Sequence, residues 1–122
     1  MTQAAATIIS RIPTSDADLI TNYIRATGHL VAATRIEDTL SHHILTKIHD
    51  DYLAAKNALS GRLAECSNDI TLLPRLDEAA RAYETARLDS IEHGSMPTTE
   101  LGETSTRCFH LMEAAATILD QH

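Results

Sequence analysis

The sequence predicts an all-α protein, folded as an up-and-down four-helix bundle. Hydrophobic residues make up 43% of the chain but aromatic residues only 3%, so the core must be aliphatic and rich in alanine. Three prolines and four glycines in 122 residues are fewer turn residues than a β-sandwich or barrel of this length needs. Apolar side chains also recur every three or four positions, which is the spacing of amphipathic helices. A chain of this length forms one domain, so residues 1–122 are expected to make a single helical domain.

The first helix is predicted over residues 15–33. Pro13 separates it from an N-terminal segment, residues 1–14, which is expected to be disordered or a short helix. The letters "SDAD" form a capping box in which Ser15 accepts from the amide three residues later and Asp18 lies near the positive end of the helix dipole. The apolar face of this helix consists of Leu19, Ile20, Tyr23, Ile24, Leu30 and Val31.

The second helix is predicted over residues 35–66, although its beginning leaves two alternatives open. Its apolar face consists of Ile44, Leu45, Ile48, Tyr52, Ala55, Leu59, Leu63 and Cys66, and it is nearly in phase with the first face. The intervening inward positions are polar, and "TRIE" forms a second capping box with Thr34 as the cap and Glu37 inside the helix. The alternative is one continuous N-terminal helix of about fifty residues followed by a two-helix hairpin, with dimerisation completing the core.

Two further helices follow clear breaks. Small polar residues precede Pro74, which is tolerated only in the first turn of a helix, so the third helix is predicted over residues 72–92. Gly94 suits a left-handed helix end and Pro97 blocks continuation, so the fourth helix is predicted from Thr99, as its cap, to about 120. The seam of the third helix is Leu73, Leu76, Ala80, Tyr83 and Arg87, and that of the fourth is Leu101, Ser105, Cys108, Met112, Ala115 and Leu119.

The third helix carries two unusual features. Arg87 lies on its apolar seam, so we expect the side chain to extend outward to solvent or to pair with Glu37, Asp38 or Glu84. Its last turn contains Asp89 and Glu92, whose negative charge opposes the helix dipole, so this end is expected to fray.

The charge of the chain disfavours several classes of partner. The formal net charge is −7 with neutral histidines, so the protein repels phosphate backbones and anionic membrane surfaces. No apolar run approaches the roughly twenty residues of a membrane span, and no basic region precedes the first apolar stretch. We therefore expect a cytoplasmic protein. Cys66 and Cys108 lack metal-type spacing and are expected to be free thiols.

Residues capable of metal binding or acid–base chemistry concentrate around "SHHILTKIHDD", residues 41–51, with a smaller group in the fourth helix. The candidates for a polar site are Asp38, His42, His43, His49, His110 and Glu113.

A metal site built from these candidates meets a geometric obstacle. On one helix, Asp38, His42 and His49 share a strip, but His42 and His49 lie about 10.5 Å apart along the axis, too far to bind one ion. Asp38 with His42, and His110 with Glu113, have the spacing of ligand pairs. The Glu-x-x-His and His-x-x-x-His patterns of metal-binding bundles are absent. We therefore expect histidines in solvent on the sides of the bundle, or at an oligomer interface, with a metal site as the alternative.

A second chemical alternative is histidine phosphotransfer. The length and the four helices match the domains that perform it, which need a solvated histidine in the middle of a helix with a lysine nearby. His43 has Lys47 four residues later, but the His-x-x-Lys-Gly pattern is absent. Because this pattern is absent, we infer no resemblance of the sequence to that family.

The predicted function is therefore that of a small acidic, non-catalytic helical bundle. It acts by protein–protein interaction, through self-association or as a scaffold or regulatory adaptor, without metal or other cofactor, nucleic acid or membrane. A second helix of about 32 residues is longer than its neighbours of roughly 20, and the apolar surface left uncovered predicts a homodimer. The alternative is a phosphotransfer or metal-binding activity centred on residues 38–49.

Overall fold

A computed structural model describes residues 15–92, 94 and 99–121. These residues form four α-helices: α1 (Asp16–Arg35), α2 (His42–Cys66), α3 (Leu72–Glu92) and α4 (Thr99–Asp120). The helices pack on one another as the predicted all-α four-helix bundle. The expectations for residues 1–14 and for Pro97 lie outside the described residues.

The start of α1 follows the predicted capping box. The Ser15 side chain accepts a hydrogen bond from the Asp18 backbone N–H at 3.1 Å. Asp16 and Asp18 both lie in the first turn, where carboxylates interact favourably with the helix dipole. The capping box in the sequence was therefore sufficient to predict where α1 begins.

The break between α1 and α2 lies further along the chain than predicted. The Thr34 hydroxyl does not cap a helix but donates to the Leu30 carbonyl at 2.8 Å, so Thr34 remains inside α1. A 3-10 turn, Glu37–Thr39, follows, and Ser41 caps α2 by accepting from the Ile44 N–H at 3.2 Å. The predicted start at residue 35 and the continuous-helix alternative are therefore both wrong.

The later start shortens α2. It has 25 residues beside neighbours of 20, 21 and 22, so most of the predicted overhang disappears. The physical reason is that residues 37–41 are polar at the inward positions and gain nothing from burial in a helix. The dimer argument based on an overhanging helix loses its basis.

The ends of the helices show how the bundle is arranged. Arg62 near the end of α2 donates to Asp16 at the start of α1 at 3.1 Å, so these helices are antiparallel. Arg35 at the end of α1 contacts Glu92 at the end of α3 at 3.0 Å, so α1 and α3 are parallel. The closest pairs are α3 with α4 and α1 with α2, followed by α1 with α3. Although consecutive in the chain, α2 and α3 are further apart and occupy a diagonal of the bundle.

The core is aliphatic and alanine-rich, as the composition predicts. Ala79 and Ala80 of α3 and Ala115 of α4 belong to it, and such small side chains allow helices to approach closely. Ser105, predicted to lie on the seam of α4, is instead exposed. The buried residues that form the connected core are Ile20, Tyr23, Tyr52, Leu59, Leu63, Leu72, Leu76, Ala79, Ala80, Cys108, Ala115 and Leu119.

The remaining predictions for single residues are also tested by the structure. Gly94 has φ 62°, and its N–H bonds to the Ile91 carbonyl at 3.1 Å, as expected for a left-handed helix end. Cys66 and Cys108 are free thiols, and burial raises the pKa of Cys108. In the described part of the chain, no helix has the length and apolar character needed to cross a bilayer.

Candidate functional site

The histidine-rich stretch lies on the outside of the bundle. His42 and His43 are the first two residues of α2, and His49 lies two turns later; all three are exposed. Within the described part of the chain, their polar contact is local and joins the His42 Nε2 to the Thr46 Oγ1 at 3.5 Å. His43 is thus at a helix end rather than in the middle of a helix, where a phosphotransfer histidine is expected.

Asp38 does not share a helical strip with these histidines. It lies in the 3-10 turn, on the other side of the cap Ser41 from His42. The predicted spacing assumed an uninterrupted helix from residue 35, so the break removes the basis for an Asp38–His42 ligand pair.

His110 and Glu113 are both exposed on α4. His110 lines an open groove on the outer side of α4 with Thr106 and Arg107, and Arg75 of α3 contributes at one side. Within the residues that the structure describes, no group of three or more His, Cys, Asp or Glu side chains is placed to hold a metal ion. The structure brings none of the predicted candidates together into a site.

The principal polar cluster is instead centred on Asp77 of α3. Its Oδ1 accepts hydrogen bonds from the hydroxyls of Tyr23 on α1 and Tyr52 on α2, the latter at 2.6 Å. Its Oδ2 accepts from the Arg81 Nε at 2.9 Å, and the Arg81 guanidinium also donates to the Tyr52 hydroxyl at 2.9 Å. We call these four residues the Asp77 cluster. One carboxylate therefore joins three helices.

The aromatic rings reinforce the same cluster. The Tyr23 and Tyr52 ring centroids are 6.2 Å apart at an interplanar angle of 35°. The Arg81 guanidinium carbon lies 5.1 Å from the Tyr52 ring centroid, and the Lys56 Nζ lies 5.6 Å from it. Each cation is attracted to the ring, because the ring carries partial negative charge above and below its plane.

The electrostatics of the Asp77 cluster favour a charged Asp77 and a neutral Tyr23. Burial alone would raise the pKa of Asp77, but hydrogen bonds from Tyr23, Tyr52 and Arg81 outweigh it and lower that pKa below its usual value. The pKa of Tyr23 is raised far above its usual value by burial and by its bond to the Asp77 carboxylate. Partial burial opposes the charge of Arg81, yet its bonds to Tyr52 and Asp77 raise its pKa.

The Asp77 cluster is self-contained. Among the described side chains, no buried nitrogen or oxygen atom lacks a hydrogen-bond partner. Both carboxylate oxygens are engaged, and Tyr23 is fully buried. The arrangement holds helices together, and its buried polar groups are all engaged with one another.

A second ion pair lies where α1 and α3 approach closely. Glu84 is 9% exposed, and both of its oxygens bond to the Arg87 guanidinium, the Nε at 3.2 Å. A Cβ added at Gly28 of α1 would lie 3.3 Å from the Glu84 Cδ, so glycine leaves room for this carboxylate. Arg87 thus pairs with one of its predicted partners, while its side chain stays 41% exposed.

The acidic end of α3 is also tied to α1. Arg35 pairs with Asp89 and with Glu92, and its guanidinium donates to the Thr85 carbonyl at 3.2 Å. The two carboxylates that oppose the dipole of α3 are therefore offset by a cation from the neighbouring helix. The predicted fraying of this end did not take account of Arg35, which only the parallel packing of α1 and α3 brings there.

Large apolar side chains are exposed at the same end of the bundle. Ile36 directly follows α1, Ile44 lies in the first turn of α2, and Ile91 lies in the last turn of α3. Their exposed fractions are 51%, 46% and 61%. We call these three residues the isoleucine end.

The sequence contained a signal for the Asp77 cluster that composition alone does not reveal. Tyrosines in an aliphatic core need acceptors for their hydroxyls, and Asp77 follows the buried Leu76 with Arg81 four residues later. An acid next to a core position with a base at i+4 marks a helix edge that faces both core and solvent. This pattern points to Asp77, but only the packing identifies which tyrosines it meets.

Comparisons with protein-family models, with curated proteins and with solved structures found no match.

Proposed function

We propose that this protein acts through protein–protein contact, as a small acidic helical bundle that associates with a second copy of itself. The observation that carries the proposal is the isoleucine end, where three β-branched apolar side chains are 46% to 61% exposed. Exposed apolar groups that lie together on one surface are typical of interaction sites, because their burial is favourable.

The contacts of Arg35 support the grouping of these three residues. Arg35 immediately precedes Ile36, and its partners Asp89 and Glu92 flank Ile91. The end of α1 and the end of α3 are therefore adjacent. Ile44 belongs to the same end because α2 runs antiparallel to α1.

The polar residues around the isoleucine end fit a symmetric contact. Glu37 and Asp38 precede α2, and His42 and His43 begin it, all of them exposed. A two-fold axis sets one patch against its own copy, which allows acceptor carboxylates of one subunit to meet donor imidazoles of the other. The patch is thereby complementary to itself in both apolar and polar character.

The state of association tests this proposal. Light scattering of the wild-type protein over a dilution series should give twice the chain mass, and the double variant Ile36→Ser/Ile91→Ser should give a single chain mass. Ile70→Ser is the matched control, since Ile70 is 86% exposed on the connection between α2 and α3, at the opposite end of the bundle. This control should remain a dimer.

A wild-type protein that is monomeric at every concentration would contradict the proposal. A dimer that is lost in Ile70→Ser and kept in the double variant would also contradict the proposal, because the contact would then lie at the opposite end of the bundle.

We also propose that the protein works in the cytoplasm, without nucleic acid, membrane or cofactor, as a scaffold or regulatory adaptor. The net charge of −7 supports this by repelling polyanions. Retention on immobilised DNA at physiological salt, or binding to vesicles with anionic lipid, would contradict it.

A further inference from the structure

The outer side of α4 carries an exposed aromatic residue that the proposed dimer does not use. Phe109, the single phenylalanine of the chain, is 58% exposed. Ala116 lies seven residues later on the same face of the helix and is also exposed. The residues just before them, Cys108 and Ala115, point into the core. Phe109 and Ala116 therefore form an apolar line beside the core seam, which we call the α4 line.

The chain enters the bundle next to this line. Asp16 and Ala17, at the start of α1, border the same shallow depression as Ala116, Thr117 and Asp120 near the end of α4. Whatever precedes Ser15 therefore begins within about one helical turn of Ala116.

We propose that residues 4–12 of this chain, "AAATIISRI", pack along the α4 line and cover Phe109. The segment has three isoleucines and three alanines, which supply apolar surface for the ring. Phe109 and Ala116 are about 10.5 Å apart along the axis, and nine residues span about 13.5 Å even when helical, so the segment is long enough.

The charges along α4 favour the same occupant. The single ionisable side chain in residues 1–14 is Arg11. Glu113 is exposed on α4 between Phe109 and Ala116 and close to their face, whereas Glu103 and Arg107 lie on other faces of the helix. A segment tethered next to the surface it covers also has a high effective concentration, so it competes well against a second copy of the chain.

The absence of tryptophan from the chain allows a direct test. Phe109→Trp introduces a single fluorophore on the α4 line, and acrylamide quenching measures its accessibility. The test uses the full-length chain with Ile36→Ser/Ile91→Ser as background, so that association at the isoleucine end plays no part. Adding Ile8→Ser/Ile9→Ser should shift the emission to the red and raise the quenching constant about twofold, because the indole loses its apolar cover.

Leu53→Trp in the same background is the matched control. Leu53 is 39% exposed and belongs to α2 instead of the α4 line, so its quenching should not respond to Ile8→Ser/Ile9→Ser. Circular dichroism checks that each variant keeps its helical content.

Equal quenching of Trp at position 109 with and without the Ile8 and Ile9 changes would overturn the proposal. Quenching that increases on dilution would also overturn it, because it would assign the cover to another molecule. Both results are independent of whether the wild-type protein dimerises.

Discussion

The Asp77 cluster and the stretch 38–49 are both rich in polar side chains, yet they differ in what they join. Asp77 contacts side chains from α1 and α2 while lying on α3 itself. The histidines at 42, 43 and 49 are exposed, and their polar contact with other described residues is local, from His42 to Thr46. In a bundle, the number of helices that a polar residue joins thus depends on its position relative to the core. The number of polar residues in a stretch of sequence is a poor guide to it.

The largest effect expected from this comparison is that of Asp77→Ala. The substitution leaves the Tyr23 and Tyr52 hydroxyls without their acceptor and Arg81 without its charge partner. We expect the free energy of unfolding to fall by about 3 kcal/mol, because two tyrosine hydroxyls of buried residues lose the carboxylate that accepts from them, at about 1–3 kcal/mol each. Urea unfolding followed by circular dichroism measures it. A loss below about 1 kcal/mol would mean that the cluster is not a major source of stability.

The second expected effect concerns acid. The pKa of Asp77 is lower in the folded protein than in the unfolded chain, where it is about 3.9. Its contribution to stability is therefore complete above about pH 3.9 and is lost as the pH falls through the folded value. Unfolding curves from pH 5 downward should show a steeper loss in the wild type than in Asp77→Asn. Parallel losses in the two proteins would refute this assignment.

A third effect compares two glycines in helices. No atom lies within 4 Å of a Cβ added at Gly61, so Gly61→Ala should stabilise the protein by about 0.5–1 kcal/mol through helix propensity. The same change at Gly28 places the Cβ against Glu84, which is held by Arg87, so that gain should be cancelled or reversed. Thermal unfolding of the two single variants gives the difference. Equal stabilisation would show that Glu84 moves aside freely.

The smallest effects are expected in the histidine-rich stretch. Replacing His42, His43 or His49 singly by alanine should change the free energy of unfolding by less than about 0.5 kcal/mol, as is usual for exposed positions. Incubation of the wild type with acetyl phosphate should leave no acid-labile label. A label that disappears with one of these substitutions would instead support the phosphotransfer alternative.

The sequence predicted the ends of the helices well where a residue acts locally. Ser15 caps the start of α1, Pro74 fits only the first turn of α3, and Gly94 takes the left-handed conformation that follows its end. The helices α1, α3 and α4 accordingly begin or end close to the predicted positions. The start of α2 was missed because Thr34 and Ser41 are both good caps. The choice between them depends on which residues gain from burial, which is a property of the assembled bundle.

The contacts between helices could not be predicted to the same extent. The partnership of Arg35 with Asp89 and Glu92 requires α1 and α3 to be parallel neighbours. If each helix packed only beside the next one in the chain, α1 and α3 would not be direct neighbours. Likewise, Asp77 meets Tyr23 and Tyr52 only at one rotation of each helix about its axis, and the apolar stripes leave that rotation loosely defined.

The convergence of two phenols on one carboxylate oxygen also limits how the helices can slide. Stripes of leucine and alanine fit together almost equally well after a shift of one turn, about 5.4 Å, because such side chains have similar shapes. A shift of that size would separate Tyr23 from Asp77 and leave buried hydroxyls without an acceptor inside an aliphatic interior. The cluster therefore sets the axial alignment of three helices, selecting one among several packings that hydrophobicity alone would leave nearly degenerate.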